Sequence, residues 1–101
     1  MEKRLGDSEL SPNMLAQMHH ISTRYLHSVF SERGTTVGAW IRSRRLAQSR
    51  SELANSSSDR TITEISMRWG FNDAAHFSRS FRSAYGVSPL KFRLGRRALN
   101  R

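Results

Sequence analysis

Residues 15–34 and 65–86 carry one apolar template twice, and this duplication restricts the chain more than any single motif does. Leu15-Ala16, Ile21, Leu26, Phe30 and Gly34 in the first stretch answer to Ile65-Ser66, Phe71, Phe77, Phe81 and Gly86 in the second. The second copy has one extra residue in its turn and one more before its closing glycine. Each copy reads as a short helix, a tight turn holding an apolar residue, and a second helix, which is the helix-turn-helix layout. A single such pattern arises wherever two helices meet at a short loop, but a pair at fixed separation is far more restrictive.

The residues between these landmarks fit the same layout. Ser11 caps a helix that opens at Pro12, where a missing N–H costs nothing, and Met14, Leu15 and Met18 give it a stripe ending near His19-His20. Ser22 caps a second helix, which stops at Gly34. Thr35 or Thr36 caps a third, over about 37–54, with Val37, Trp40, Ile41, Ala47, Leu53 and Ala54 on its buried side. Residues 55–59, Asn-Ser-Ser-Ser-Asp, contain nothing apolar and read as a loop. Thr61 and Glu64 have capping-box spacing and predict a short helix to Trp69. Gly70 then turns the chain, Asn72 or Asp73 caps the next helix, Gly86 closes it, and Ser88-Pro89 opens a last short one. No stretch alternates with period two. The expected fold is all-α, with two helix-turn-helix subdomains joined by a long connector helix. The first unit spans about 9–34, the connector about 36–55, the second unit about 61–93, and a basic tail 94–101.

Charge narrows the function. The 101 residues hold 17 Lys+Arg against 8 Asp+Glu, a net charge of +9. Residues 1–34 are net neutral, 35–60 net +3 and 61–101 net +6. Lys3 and Lys91 are the only lysines, and arginine forks onto phosphate and guanine edges where lysine is a point charge. A nucleic acid is the expected partner. With no cysteine, disulfides, cysteine-ligated zinc and thiol catalysis are excluded. His19 and His20 are adjacent and point to different sides, so no metal site is expected. No cofactor motif, carboxylate dyad or nucleophile–base pair points to an enzyme. No apolar run approaches the roughly 18–20 residues that cross a bilayer, and the basic pair Lys3-Arg4 has no apolar stretch behind it, so the expected location is the cytoplasm.

A helical wheel assigns faces to the second helix of each copy. In the first, Tyr25, Leu26, Val29 and Phe30 cluster, leaving Arg24, His27, Ser28 and Ser31 opposite. In the second, Ala74, Phe77, Ser78, Phe81 and Tyr85 form the buried stripe. Asn72, His76, Arg79 and Ser83 lie opposite, with Ala75 and Arg82 on the flank. Both free faces offer side chains that read base edges or phosphates. Trp40 and Trp69 sit on apolar stripes and read as core. Arg42, Arg44, Arg45 and Arg50 on the connector read mostly as a solvated face, with one or two in reach of phosphate.

Ser11-Pro12 through Phe30, Ile62 to Phe71, His76-Phe-Ser-Arg-Ser-Phe81, and Tyr85-Gly-Val-Ser-Pro89 with Phe92-Arg93 together resemble the DNA-binding domain of AraC/XylS-type transcription regulators. The resemblance covers about residues 9–93 and is most specific in the second half. It implies two recognition helices entering successive major grooves on one face of double-stranded DNA. By position, Arg24, His27 and Ser28 would read one segment, and Ala74, Ala75, His76 and Arg79 the next. Ser22, Thr23, Asn72, Arg82 and Lys91 are the phosphate candidates. The resemblance also implies an activator, monomeric as this domain. The alternative is a protein-interaction module whose connector arginines bind an acidic partner such as RNA polymerase. Four departures stand out: His20 where the family has Gly, Ser66 for Ala, Phe92 for Tyr, and only Glu2 to Leu5 where the family has a full leading helix. No counterpart of the family's effector-sensing domain is present, so the chain reads either as a fragment or as a small stand-alone regulator.

Overall fold

The computed structural model describes residues 10–55 and 57–99. The leading segment around Leu5 and the last two residues of the expected tail lie outside them. Six helices follow in order: α1 Pro12–Met18, α2 Thr23–Glu32, α3 Val37–Ala54, α4 Ile62–Arg68, α5 Ala74–Tyr85 and α6 Pro89–Leu99. No strand occurs among the described residues.

The sequence repeat is also a repeat of hydrogen bonds. After α1, the His20 N–H donates to the Gln17 carbonyl at 3.2 Å and the Ile21 N–H to the Ala16 carbonyl at 3.0 Å. After α4, the Gly70 N–H donates to Met67 at 3.1 Å and the Phe71 N–H to Ser66 at 3.0 Å. This crossed pair is the Schellman ending, which needs one left-handed residue. Gly70 supplies it at φ 91°, whereas the first copy puts His20 there at φ 56°. An L-residue in that region carries a steric cost that glycine avoids, although histidine tolerates it better than most.

Helix starts are set by short polar side chains. The hydroxyls of Ser11, Ser22, Thr36 and Ser88 accept from Met14, Tyr25, Ala39 and Lys91 N–H groups at 3.0–3.3 Å. Thr61 and Glu64 complete the capping box in both directions, at 3.0 and 2.9 Å. At α5 the cap is Asp73 rather than Asn72, its carboxylate accepting the Ala75 N–H at 2.8 Å.

Two cores share the connector. Val37 and Ile41 of α3 join Leu10, Leu15, Ala16 and Leu26 in the first. Leu46 and Leu53 of α3 join Ile65, Phe71, Phe77 and Phe81 in the second. Trp40 packs on Phe30 with ring centroids 5.6 Å apart, and Trp69 packs against both cores. Two expected connector residues differ: Ala47 and Ala54 are only half-buried, while Leu46 and Ser49 take the buried side. A helix serving two cores changes its buried face along its length. Ser49, fully buried, satisfies its hydroxyl by donating to the Arg45 carbonyl at 2.7 Å. The second core is a chain of rings, Phe71 to Phe77 to Phe81, with Tyr85 edge-on and Phe92 beside Phe81.

Residues 94–99, expected as the start of a basic tail, instead continue α6. Helix α6 lies along α3, and Arg50 of α3 stacks over Tyr85 at 4.8 Å and Phe92 at 5.5 Å. Buried Arg93 reaches the loop after α3, donating to the Arg60 carbonyl at 2.6 Å and the Ser58 carbonyl at 3.2 Å. The helical continuation beyond Leu94 follows from this packing, which no local signal in the sequence announces.

Candidate nucleic-acid interface

Helices α2 and α5 occupy equivalent places behind the two matching turns, so their outward faces form the candidate interface. On α2, Leu26 is buried, Val29 and Phe30 are half-buried, and Arg24, His27, Ser28 and Ser31 are exposed. Tyr25 is the exception: the wheel grouped it with the apolar side, yet it is 52% exposed. It lies beside Arg24 at the start of α2, where the first core is too small to cover a second large ring. Its hydroxyl and ring face therefore join the polar surface, which the spacing of residues alone could not reveal.

On α5, Phe77 and Phe81 are fully buried, and Asn72, Ala75, His76, Arg79, Arg82 and Ser83 are exposed. Ala74, the first residue of the helix, is half-buried at the edge of that face. The His76 ring leans toward Phe71, centroids 6.2 Å apart, which orients an otherwise solvated side chain. Asp73 is the one carboxylate at this end, and its cap bond to Ala75 holds it at the backbone.

The phosphate candidates divide. Thr23 donates its hydroxyl proton to Asn13 Oδ1 at 2.8 Å, tying α2 to α1. The Ser22 hydroxyl accepts the Tyr25 N–H, which leaves its proton able to point outward. Asn72, Arg82 and Lys91 are exposed. Helix N-termini at α2 and α5 add backbone donors of the kind that hold phosphate oxygens.

Two grooves, each of about 550 Å³, run between α3 and α5. One reaches Asn72, His76 and the start of α1; the other follows α5 to Ser83 and Tyr85. Both are open to solvent rather than enclosed. Among the described residues no cluster of three His, Asp or Glu could hold a metal ion, and no helix is long and apolar enough to cross a membrane.

The connector sets the distance between the two faces. Its 18 residues span about 27 Å at 1.5 Å per residue, against about 34 Å for one DNA turn. The molecule measures 48 Å along its long axis and 23 Å across. The connector is thus of the same order of length as the separation between neighbouring major-groove segments.

Comparison with known proteins agrees with this geometry. Residues 15–95 match the family described as a helix-turn-helix domain. The transcriptional activator NphR of Rhodococcus sp is 36% identical over 93 residues, 92% of this chain and 27% of that protein. The transcriptional activator RhrA of Rhizobium meliloti is 33% identical over 93 residues, 92% of this chain and 30% of that protein. The chain therefore spans under a third of the length of these relatives. Among solved structures, a transcriptional regulator from Chromobacterium violaceum with an AraC-type DNA-binding domain superposes with a TM-score of 0.87 at 27% identity, covering 95% of this chain and 84% of that one. The DNA-binding domain of AdpA, a global transcriptional factor solved in complex with a target DNA, superposes with a TM-score of 0.82 at 27% identity, covering 95% and 85%.

Proposed function

Since the chain belongs to the AraC-type helix-turn-helix family of DNA-binding domains, we propose that it binds double-stranded DNA sequence-specifically as the reading part of a bacterial transcription activator. Helices α2 and α5 enter successive major grooves. Arg24 and Arg79 read base edges, and His27, Ser28, Ala75 and His76 tune the readout, with Ala74 at the margin. Ser22, Asn72, Arg82 and Lys91 hold phosphates, with Thr23 supporting Ser22 through its bond to Asn13. The domain acts as a monomer in the cytoplasm and performs no chemistry of its own.

One observation carries this reading: the two turns repeat bond for bond, and each presents an exposed face rich in Arg, His and Ser. The rival reading, an acidic partner such as RNA polymerase held by the connector arginines, is weakened because those arginines are mostly engaged within the chain. Arg50 stacks on two rings, and Arg44 and Arg45 each have intramolecular partners.

Selection of bound sequences from a random duplex pool tests the proposal. A two-part consensus should emerge. Arg79→Ala should then weaken the selected site by about 1–3 kcal/mol and relax one base position. Equal losses on selected and random DNA would make Arg79 a phosphate contact instead, and absence of any enrichment would overturn the sequence-specific reading.

A further inference from the structure

Resting on the DNA-binding reading above, we propose that Arg42 of the connector binds a DNA backbone phosphate in the stretch between the segments read by α2 and α5. Its three fellow connector arginines are occupied: Arg50 lies over Tyr85 and Phe92, and Arg44 and Arg45 interact within the chain. Arg42 is exposed, and among the described residues it has no hydrogen-bond, ion-pair or ring partner.

Its placement is specific. The two grooves between α3 and α5 have two lining residues in common, and these are Arg42 and Arg79. Both side chains border both grooves, one from the connector and one from the outward face of the second recognition helix. Like charges brought to the margin of one groove repel each other unless an anion lies between or beside them. Among the described residues the only carboxylate lining either groove is Asp73, which is bonded to the start of α5. Two arginines against that single carboxylate leave the groove margins with an excess of positive charge beside α5.

The register along the chain identifies the anion. Arg42 is the sixth residue of an 18-residue helix whose ends belong to the two reading units, and it shares both grooves with Arg79, so it lies beside the α5 reader on the side toward the first unit. DNA bridging two successive major-groove segments turns its minor groove toward the protein there, bordered by backbone phosphates. Arginine on a backbone phosphate contributes affinity without base preference and adds close to one unit to the salt slope.

The test uses the whole chain and a duplex selected on it. Binding is measured by fluorescence anisotropy over a salt series for the wild type, Arg42→Ala, Arg42→Lys and Arg79→Ala. Arg42→Ala should weaken selected and random duplexes alike, about five- to tenfold, and lower the salt slope by roughly one, while Arg42→Lys keeps most of the slope. A neutral methylphosphonate placed at successive positions of the spacer should reproduce the loss at one position in the wild type and add nothing in Arg42→Ala. Wild-type affinity and slope in Arg42→Ala, alongside a loss in Arg79→Ala, would overturn the Arg42 assignment and leave the DNA reading intact. Relaxed base preference in Arg42→Ala would likewise overturn it, by making the residue a base reader. Failure of the wild type to bind any duplex would overturn both. Unchanged circular dichroism and melting temperature in each variant certify that these outcomes concern the surface.

Discussion

Glu52 Oε1 accepts the indole N–H of Trp69 at 3.0 Å, joining the last turn of the connector to the turn of the second unit. The same carboxylate accepts the Ser58 hydroxyl at 3.2 Å and faces Arg60 and Arg68 at 3.4 and 3.5 Å. Its side chain is 13% exposed, whereas the two arginines are about half exposed, so their ion pairs contribute little. The indole bond matters more, because Trp69 is the side chain packed against both cores. Glu52→Leu should cost about 1–3 kcal/mol by stranding a half-buried donor, and Glu52→Gln, which keeps an acceptor, should cost less. Thermal melts followed by tryptophan fluorescence separate the two; equal melting temperatures would mean that the indole finds water instead.

His20 holds a left-handed backbone with an exposed side chain. His20→Gly removes the Cβ penalty, about 1–2 kcal/mol for a general L-residue and less for histidine, and adds about 0.5–1 kcal/mol of unfolded-state entropy. The strain relief should win narrowly and raise the melting temperature by a few degrees at most. A clear drop would assign the histidine ring a packing role in the first turn.

The Glu64 carboxyl is held below its usual range, first by the bond it accepts from the Thr61 N–H and next by the Thr61 side chain. A depressed folded pKa gives stability that is present above the unfolded value and lost as pH falls through the folded one. Acidification below the ordinary glutamate range should therefore weaken the start of α4. Glu64→Gln preserves the capping-box geometry and should melt with a shallower pH dependence as pH falls below the ordinary glutamate range. Parallel pH profiles for the two proteins would show that other carboxylates govern acid sensitivity.

Gly95 lies inside α6, and a Cβ built there meets nothing within 4 Å. Gly95→Ala should stabilise the domain by about 0.5–1 kcal/mol, since alanine loses less backbone freedom and has the higher helix propensity. Urea unfolding should shift to a higher midpoint with an unchanged slope. No shift would indicate that this end of α6 opens before the domain unfolds.

Features fixed by neighbouring residues were legible in the sequence. Ser11, Ser22, Thr61 with Glu64, and Gly86 mark helix ends because caps and left-handed turns are local events. The outward faces of α2 and α5 followed from helical period, since each helix has a single apolar stripe. What escaped depended on distant partners. Tyr25 has the spacing of a core residue but no room in a small core. Nothing local marks Glu52, because its partners Trp69 and Ser58 lie beyond the connector. Arg42 differs from Arg50 only because α5 and α6 place rings beside one and not the other. Helix α6 outran its expected end because packing against α3 carries it on.

An α-helical connector seated in a core at each end fixes angle and distance together. Each inserted residue would turn the second reader by about 100° and advance it by about 1.5 Å, so one insertion in α3 would point α5 away from the groove that α2 still faces. The shortest insertion that returns the original heading to within about 20° is about seven residues, close to two full turns. That step moves the second reader by roughly 10 Å, close to three base pairs at about 3.4 Å each. Descendants of this domain cannot widen their target one base pair at a time through the connector. They must lengthen it in steps that restore the heading, of about seven or eleven residues, and bend or twist the DNA to bring its groove back under the second reader.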